Sequence, residues 1–113
     1  MRYMDHRTGG EAAKAAPEHF ISLLERVEKG ECLLIDVRNP EEFRAERIEG
    51  ARNVPVDSIK RELSELDRDT PLLLYCKTGK RCLRAFDQLN EMGFHHIIVL
   101  DGGIEALRSY GRK

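Results

Sequence analysis

The chain has 113 residues, 41% of them hydrophobic, which suits one domain with a core of ordinary size. Its 19 basic and 20 acidic residues nearly cancel, which excludes a global charge that would attract nucleic acid or an anionic membrane. No apolar run approaches the roughly 20 residues of a membrane-spanning helix, and three cysteines are too few and odd in number for a disulfide framework.

The first residues, 1–16, are polar or small and contain no apolar signal segment. We interpret them as a loose arm or a marginal helix that precedes the domain. Together with the reducing environment that free thiols favour, this predicts a cytoplasmic protein. We expect a monomer that binds neither nucleic acid nor membrane.

Helical periodicity begins at Pro17, and Gly30 marks the end of this first predicted helix. Short, continuous apolar runs predict buried strands at 32–35, 72–75 and 97–100, with a brief extended piece around Asn53. Four further helices are predicted: one over 41–46, one capped by Asp57, one from Lys80 or Arg81 to Gly93, and one after Gly102-Gly103. The alternation of strands and helices predicts an α/β domain with a mainly parallel sheet.

Each of the three predicted strands ends at a polar side chain, namely Asp36, Cys76 or Asp101. In open parallel sheets, ligands bind beyond the carboxyl ends of the strands. The position of Cys76 therefore favours a chemical role for its thiol.

The loop after the second of these strands combines a nucleophile with cations and a glycine. Its residues are Cys76, Lys77, Thr78, Gly79, Lys80 and Arg81. Backbone N–H groups of such a loop and of the following helix start can point at the sulfur, and Gly79 permits a positive φ. Because the three cations have no acidic neighbour within the loop, we expect an ionised, accessible thiolate with a pKa below the usual value of about 8.5.

The ordered motifs of the chain resemble those of the rhodanese family over about residues 17–111. The loop 76–81 matches the family pattern C-x-x-G-x-R. Four further segments are similar to the family's D-V-R, E-F, I-x-G-A-x-N-x-P and L-x-G-G elements: 34–38, 42–43, 48–55 and 99–103.

This resemblance implies a rhodanese domain over 17–113, with a small sheet of about four to five strands flanked by helices on both faces. It implies that Cys76 takes sulfur from a small anionic donor such as thiosulfate and carries it as a persulfide. Cyanide, a small thiol or a protein thiol would accept the sulfur, with no metal or organic cofactor. Amides of Lys77 to Arg81 would hold the persulfide, and the cations would attract the donor.

The chain departs from the family pattern after Arg81, where a small hydroxyl residue is usual and Cys82 stands instead. Cys82 would either resolve the persulfide through a disulfide or be a small buried residue under the loop, and we favour the second interpretation. Arg47 replaces the usual His and the chain has no Trp, which are changes of packing.

Asp36 and Arg38 would shape the rim of the site, or they would have a structural role as an ion pair or through a turn-capping carboxylate, and we favour the structural role. We do not interpret His95-His96 as a metal site, because adjacent side chains in extended backbone point to opposite sides.

Three other functions are compatible with the sequence. A Cys-dependent phosphatase or arsenate reductase would use the same thiolate, but related phosphatases have five residues between Cys and Arg, whereas four separate Cys76 from Arg81. A non-catalytic rhodanese-like docking module would be expected to lack the Cys. A peroxide or disulfide redox protein would use Cys76 together with Cys82.

Overall fold

The computed structural model describes residues 13–111. Within this range it has five strands: β1 Ala13–Ala15, β2 Leu33–Asp36, β3 Arg52–Asn53, β4 Leu72–Tyr75 and β5 Ile97–Leu100. The same range contains five α-helices: α1 Pro17–Glu28, α2 Pro40–Ala45, α3 Ile59–Glu62, α4 Lys80–Glu91 and α5 Gly103–Gly111. A short 3₁₀ helix, Val56–Ser58, leads into α3. None of these helices has the length and apolar character needed to cross a membrane.

The five strands form one sheet in the order β1-β5-β4-β2-β3, and every neighbouring pair is parallel. The predicted α/β fold with a parallel sheet is therefore confirmed. Asp36 at the end of β2 is the register partner of Tyr75 at the end of β4. Because parallel strands end at the same edge, the segments that follow these two residues lie side by side.

Successive residues of β4 point into two separate cores. Leu74 and Cys76 belong to a core on one face that includes residues of α3 and α4, while Leu73 and Tyr75 belong to a core on the other face with residues of α1 and α5. Both faces are buried, which explains why the predicted strands appear in the sequence as continuous apolar runs. Helices cover both faces of the sheet, as predicted.

The N-terminal prediction is wrong for residues 13–15, which form an edge strand and not a loose arm or a marginal helix. Ala13 and Ala15 are buried, Lys14 between them is exposed, and β1 pairs with β5 through residues such as Ile98. A three-residue segment of small side chains has too little pattern to indicate a strand, and its pairing partner lies far along the chain. Residues 1–12 of the predicted arm lie outside the described residues.

The predicted cap at Asp57 is also wrong. Asp57 lies inside the 3₁₀ helix, and its carboxylate accepts a hydrogen bond from Arg84 of α4 at 3.2 Å. The helix that follows is only four residues long, but Ile59 and Leu63 are fully buried as the periodicity predicts.

Candidate functional site

Cys76 directly follows β4, and three residues connect it to the start of α4. Gly79 is the N-cap of α4 and has φ of 105°, a conformation that other residues rarely adopt. This turn brings the Gly79 N–H to 3.0 Å from Cys76 Sγ, where it donates a hydrogen bond. The predicted loop between strand and helix therefore does curl around its own sulfur.

The start of α5 holds the other side of this loop. The N–H groups of Ile104 and Glu105 donate to the carbonyl oxygens of Cys76 and Lys77 at 2.8 and 3.2 Å. A Cβ at Gly103 would lie 2.3 Å from the Lys77 carbonyl oxygen, so only glycine permits this approach. The Gly-Gly segment thus fixes the loop carbonyls, which leaves the loop amides free to turn toward the sulfur.

Several hydrogen bonds stabilise the ionised form of Cys76. The thiol of Cys82 donates the most effective one, and backbone N–H groups of Cys82, Gly79 and Arg81 add to it. Together they lower the pKa of Cys76 from 9.0 to about 6, although burial acts in the opposite direction. At neutral pH about nine-tenths of this group is then thiolate.

Cys82 lies in the first turn of α4 and is completely buried, as the favoured interpretation predicted. Its hydrogen bond to Cys76, together with burial, raises the pKa of Cys82 well above its usual value. Cys82 is therefore a protonated donor beside an ionised acceptor, which is more than an inert residue under the loop.

The accessibility of the Cys76 thiol differs from our expectation. Cys76 has 0% relative exposure, so the sulfur is ionised and surrounded by amides but is not open to solvent. The end of β2 lies next to the residue that precedes Cys76, because Val37 N–H donates to the Tyr75 carbonyl at 3.1 Å. A molecule from solution would reach Sγ only after a movement of the groups around it.

The cations of the loop are less available than the sequence indicated. Nη1 and Nη2 of Arg81 donate to Oε1 and Oε2 of Glu42 at 2.7 and 3.0 Å. Lys77 Nζ lies 3.9 Å from a carboxylate oxygen of Glu105. Within residues 13–111, Lys80 is the one cation of the loop for which no ion pair is found.

Glu42 is a site residue to which the sequence analysis gave no role. It lies in the first turn of α2, where the Asn39 side chain accepts from the Glu42 N–H and the Glu42 carboxylate accepts from the Asn39 N–H. The hydrogen bonds from Arg81 lower the pKa of Glu42 to about 2. The only signal in the sequence was its place in the E-F element.

The predicted ion pair between Asp36 and Arg38 is present and buried. Arg38 Nη2 lies 2.8 Å from Asp36 Oδ2, and Arg38 Nε lies 3.0 Å from Asp36 Oδ1. Asn53 Nδ2 donates to the carbonyl oxygens of both residues at 3.0 and 2.9 Å. This network braces the sheet edge beside the loop, and neither side chain is bonded to Cys76.

The argument that His95 and His96 point apart is wrong. Their ring centroids are 4.4 Å apart, because the pair precedes β5 in irregular backbone. His95 Nε2 lies 2.9 Å from Asp69 Oδ1, and one ligand atom from each of these three residues falls within 4.8 Å of the others. This cluster lies before β4 and β5, at the opposite end of the sheet from Cys76.

Comparison with known proteins agrees with this fold. The family model described as "Rhodanese-like domain" matches residues 21–110. A protein named "Sulfurtransferase" from Allochromatium vinosum is 33% identical over 81 residues, which cover 72% of this chain and 76% of that protein. Thiosulfate sulfurtransferase PspE of Escherichia coli is 34% identical over 65 residues, or 56% of this chain and 62% of PspE.

The uncharacterized protein YqhL of Bacillus subtilis is 42% identical over 72 residues, which are 64% of this chain but only 57% of YqhL. Among solved structures, the crystal structure of the Alr3790 protein from Anabaena has a TM-score of 0.75 at 26% identity and covers 86% of this chain and 78% of that one. A rhodanese-related protein from Thermoplasma volcanium has a TM-score of 0.71 at 24% identity, covers 88% of this chain and 93% of that one, and shares the fold. The chain belongs to the rhodanese-like domain family.

Proposed function

We propose that the protein is a sulfurtransferase that moves sulfane sulfur from a small anionic donor, such as thiosulfate, to a thiophilic acceptor through a persulfide on Cys76. One observation carries this proposal: Cys76 Sγ accepts hydrogen bonds from the loop amides and from Cys82, which hold its pKa at about 6. Relatives named sulfurtransferase support the same class of reaction.

In the first step, the Cys76 thiolate attacks the sulfane sulfur of the donor. The bond between the two donor sulfur atoms breaks, and with thiosulfate the sulfite leaves with the bonding electron pair. Cys76 then carries one additional sulfur atom as a persulfide. The amides that stabilise the thiolate, such as Gly79 N–H, would hold the negative charge of the persulfide in the same way.

In the second step, an acceptor such as cyanide or a thiolate attacks the outer sulfur of the persulfide. The bond to Cys76 Sγ breaks, and the Cys76 thiolate is the leaving group. A thiol with a pKa of about 6 is a good leaving group at neutral pH, so one electrostatic arrangement serves both steps.

Recognition of an anionic donor would depend mainly on Lys80 and on the start of α4. Lys80 is the first residue of that helix, where N–H groups without a partner inside the helix give a positive end. Because both terminal nitrogens of Arg81 are bonded to Glu42, we assign Arg81 to positioning the loop against α2.

The ion pair between Arg81 and Glu42 argues against the phosphatase or arsenate reductase alternative. An arginine that binds a tetrahedral oxyanion in a bidentate manner needs its two terminal nitrogens, and Arg81 already donates both of them to Glu42. A docking module without catalysis does not need a thiol whose pKa is lowered at a strand end. The redox alternative would depend on Cys82, which lies in the first turn of α4 and in the same buried core as Cys76.

A single-turnover experiment tests the proposal. Reduced protein is mixed with one equivalent of thiosulfate in the presence of cyanide, so that the acceptor meets the persulfide as it forms, and released sulfite and thiocyanate are measured. We expect about one equivalent of each product per protein, and neither product with Cys76→Ala. Cys32→Ala is the matched control, because Cys32 is a buried thiol in the core on the other face of the sheet.

Failure to release sulfite from thiosulfate, combined with failure to take sulfur from an organic persulfide, would refute the proposal. Cys76-dependent hydrolysis of an aryl phosphate under those conditions would favour the phosphatase alternative instead.

A further inference from the structure

Two thiols share the centre of this site. Cys76 Sγ accepts a hydrogen bond from the Gly79 N–H at 3.0 Å, and Cys82 lies three residues further on, in the first turn of the helix that Gly79 caps. In this position the thiol and the N–H of Cys82 lower the pKa of Cys76. Both residues have 0% relative exposure and belong to the same apolar core between the sheet and α4. A side chain at position 82 that only filled space would need no thiol. Cys82 therefore brings a second thiol into the buried core that contains Cys76.

We propose that Cys82 is an internal resolving residue, which attacks Cys76 Sγ of the persulfide, forms a Cys76–Cys82 disulfide and releases hydrogen sulfide. This inference rests on the proposed persulfide chemistry and adds a second fate for the bound sulfur. The protein would then convert sulfane sulfur to sulfide at the expense of its own two thiols.

The step balances without an external oxidant. The Cys82 thiol loses its proton and forms a bond to Cys76 Sγ, while the bond between Sγ and the outer sulfur breaks. The outer sulfur leaves with the bonding electrons and takes up the proton, so it is reduced to sulfide, and the two cysteines are oxidised to a disulfide. A dithiol reductant reopens the disulfide and makes the reaction catalytic.

Burial favours Cys82 over a nucleophile from solution. An external acceptor must first reach a sulfur that has no exposed surface, whereas Cys82 is already buried in the same core, in the first turn of the helix that follows the loop. A nucleophile held in near-attack geometry reaches effective concentrations on the order of 10⁵ M or more. Internal resolution therefore competes with transfer to thiols at ordinary concentrations.

The attack by Cys82 depends on whether Cys76 is a free thiolate or carries the additional sulfur atom. Its thiolate keeps Cys82 protonated, because the pKa of Cys82 is raised first of all by this contact. In the persulfide, the negative charge lies on the outer sulfur and no longer on Sγ. Cys82 then loses the interaction that suppressed its ionisation, and only the loaded protein contains an efficient internal nucleophile.

Intact-mass measurement distinguishes the two fates directly. Reduced protein is mixed with thiosulfate, excess donor is removed, and the mass and released sulfide are followed without cyanide or thiol. We expect wild-type protein to become two hydrogen atoms lighter and to release about one equivalent of sulfide. Cys82→Ser and Cys82→Ala should instead stay one sulfur atom heavier and release less than about a tenth of that sulfide.

Two Cys82 variants are used so that a fault in folding is not mistaken for loss of the thiol. Serine keeps a hydrogen-bond donor at this position, and alanine keeps an apolar side chain. Cys32→Ala is the matched control and should behave as wild type, because Cys32 lies in the core on the other face of the sheet. Peptide mapping of the wild-type product should show a bond between residues 76 and 82.

A wild-type protein that keeps the added sulfur as stably as Cys82→Ser overturns this inference and leaves the proposed function intact. If no variant gains sulfur or releases sulfite, the proposed function itself fails. The two failures are therefore separable in one set of samples.

Discussion

The hydrogen bond between the two thiols makes a quantitative prediction for the ionisation of Cys76. Replacement of Cys82 by alanine removes the thiol donor but keeps the backbone N–H of position 82, the Gly79 N–H and the burial. A hydrogen bond to a charged group contributes about 1.5–3 kcal/mol, and one pKa unit corresponds to about 1.4 kcal/mol. We therefore expect Cys82→Ala to raise the pKa of Cys76 by about 1–2 units.

That shift has a large effect at neutral pH. With a pKa of about 6, most of the Cys76 population is thiolate at pH 7. After a rise of about 1–2 units, the thiolate fraction falls to between about a half and a tenth. Because only the thiolate attacks the donor, the single-turnover rate of sulfite release should fall by about two- to tenfold at pH 7 and recover at alkaline pH.

The assay is the pH dependence of thiolate absorbance, recorded in a Cys32→Ala background so that Cys76 dominates the titration below pH 8. Cys82→Ser is the informative control, because its hydroxyl can donate in place of the thiol and should restore most of the shift. If Cys82→Ala titrates at the wild-type pH, the thiol does not stabilise the thiolate and the loop amides alone must account for it.

Three further predictions concern the loop and its surroundings. Gly103→Ala places a Cβ 2.3 Å from the Lys77 carbonyl oxygen, so it should lower the free energy of unfolding by about 2–4 kcal/mol in urea titrations. Gly30→Ala, which has a similar positive φ but no neighbour within 4 Å, should cost only about 1 kcal/mol. Lys80→Ala should raise KM for thiosulfate several-fold and leave kcat nearly unchanged, whereas Lys29→Ala, at the far end of α1, should alter neither. The free energy of unfolding should rise from about pH 6 to pH 8 more steeply in wild type than in Cys76→Ala, because the lowered pKa of Cys76 makes the unfolded state bind more protons in this range; parallel curves would contradict the ionisation.

The sheet could be predicted from the sequence wherever a strand is covered on both faces. The runs that became β2, β4 and β5 are continuously apolar because alternate residues enter different cores. β1 was not predicted, because Ala13 and Ala15 are small and give little pattern. The strand forms by pairing with β5, more than 80 positions later in the chain. Such a strand has no local signal, because its stability comes from tertiary contacts.

The curled loop around Cys76 was also predictable, because a strand end, a glycine and a helix start are adjacent in sequence. The partner of Arg81 was not, since Glu42 lies 39 positions away and belongs to a helix on a different strand connection. Burial of Cys76 was equally hidden, because it depends on a core whose residues come from segments far apart in the sequence. Sequence shows which groups a loop contains, whereas only the fold shows which of its charges are already neutralised.

The balance of charges around Cys76 leads to a consistent physical account of the site. If three free cations surrounded the sulfur, the thiolate would be stabilised by side chains that solvent and salt readily screen. In the structure, backbone N–H groups and a buried thiol stabilise the Cys76 thiolate instead, while Glu42 neutralises Arg81. Dipoles fixed by the strand, by Gly79 and by α4 are already oriented before a donor arrives, so stabilising the charge requires no reorganisation. A low pKa of Cys76 should therefore persist at high ionic strength, and a pKa that climbed toward its usual value in added salt would show that the cations, and not the fixed dipoles, hold the thiolate.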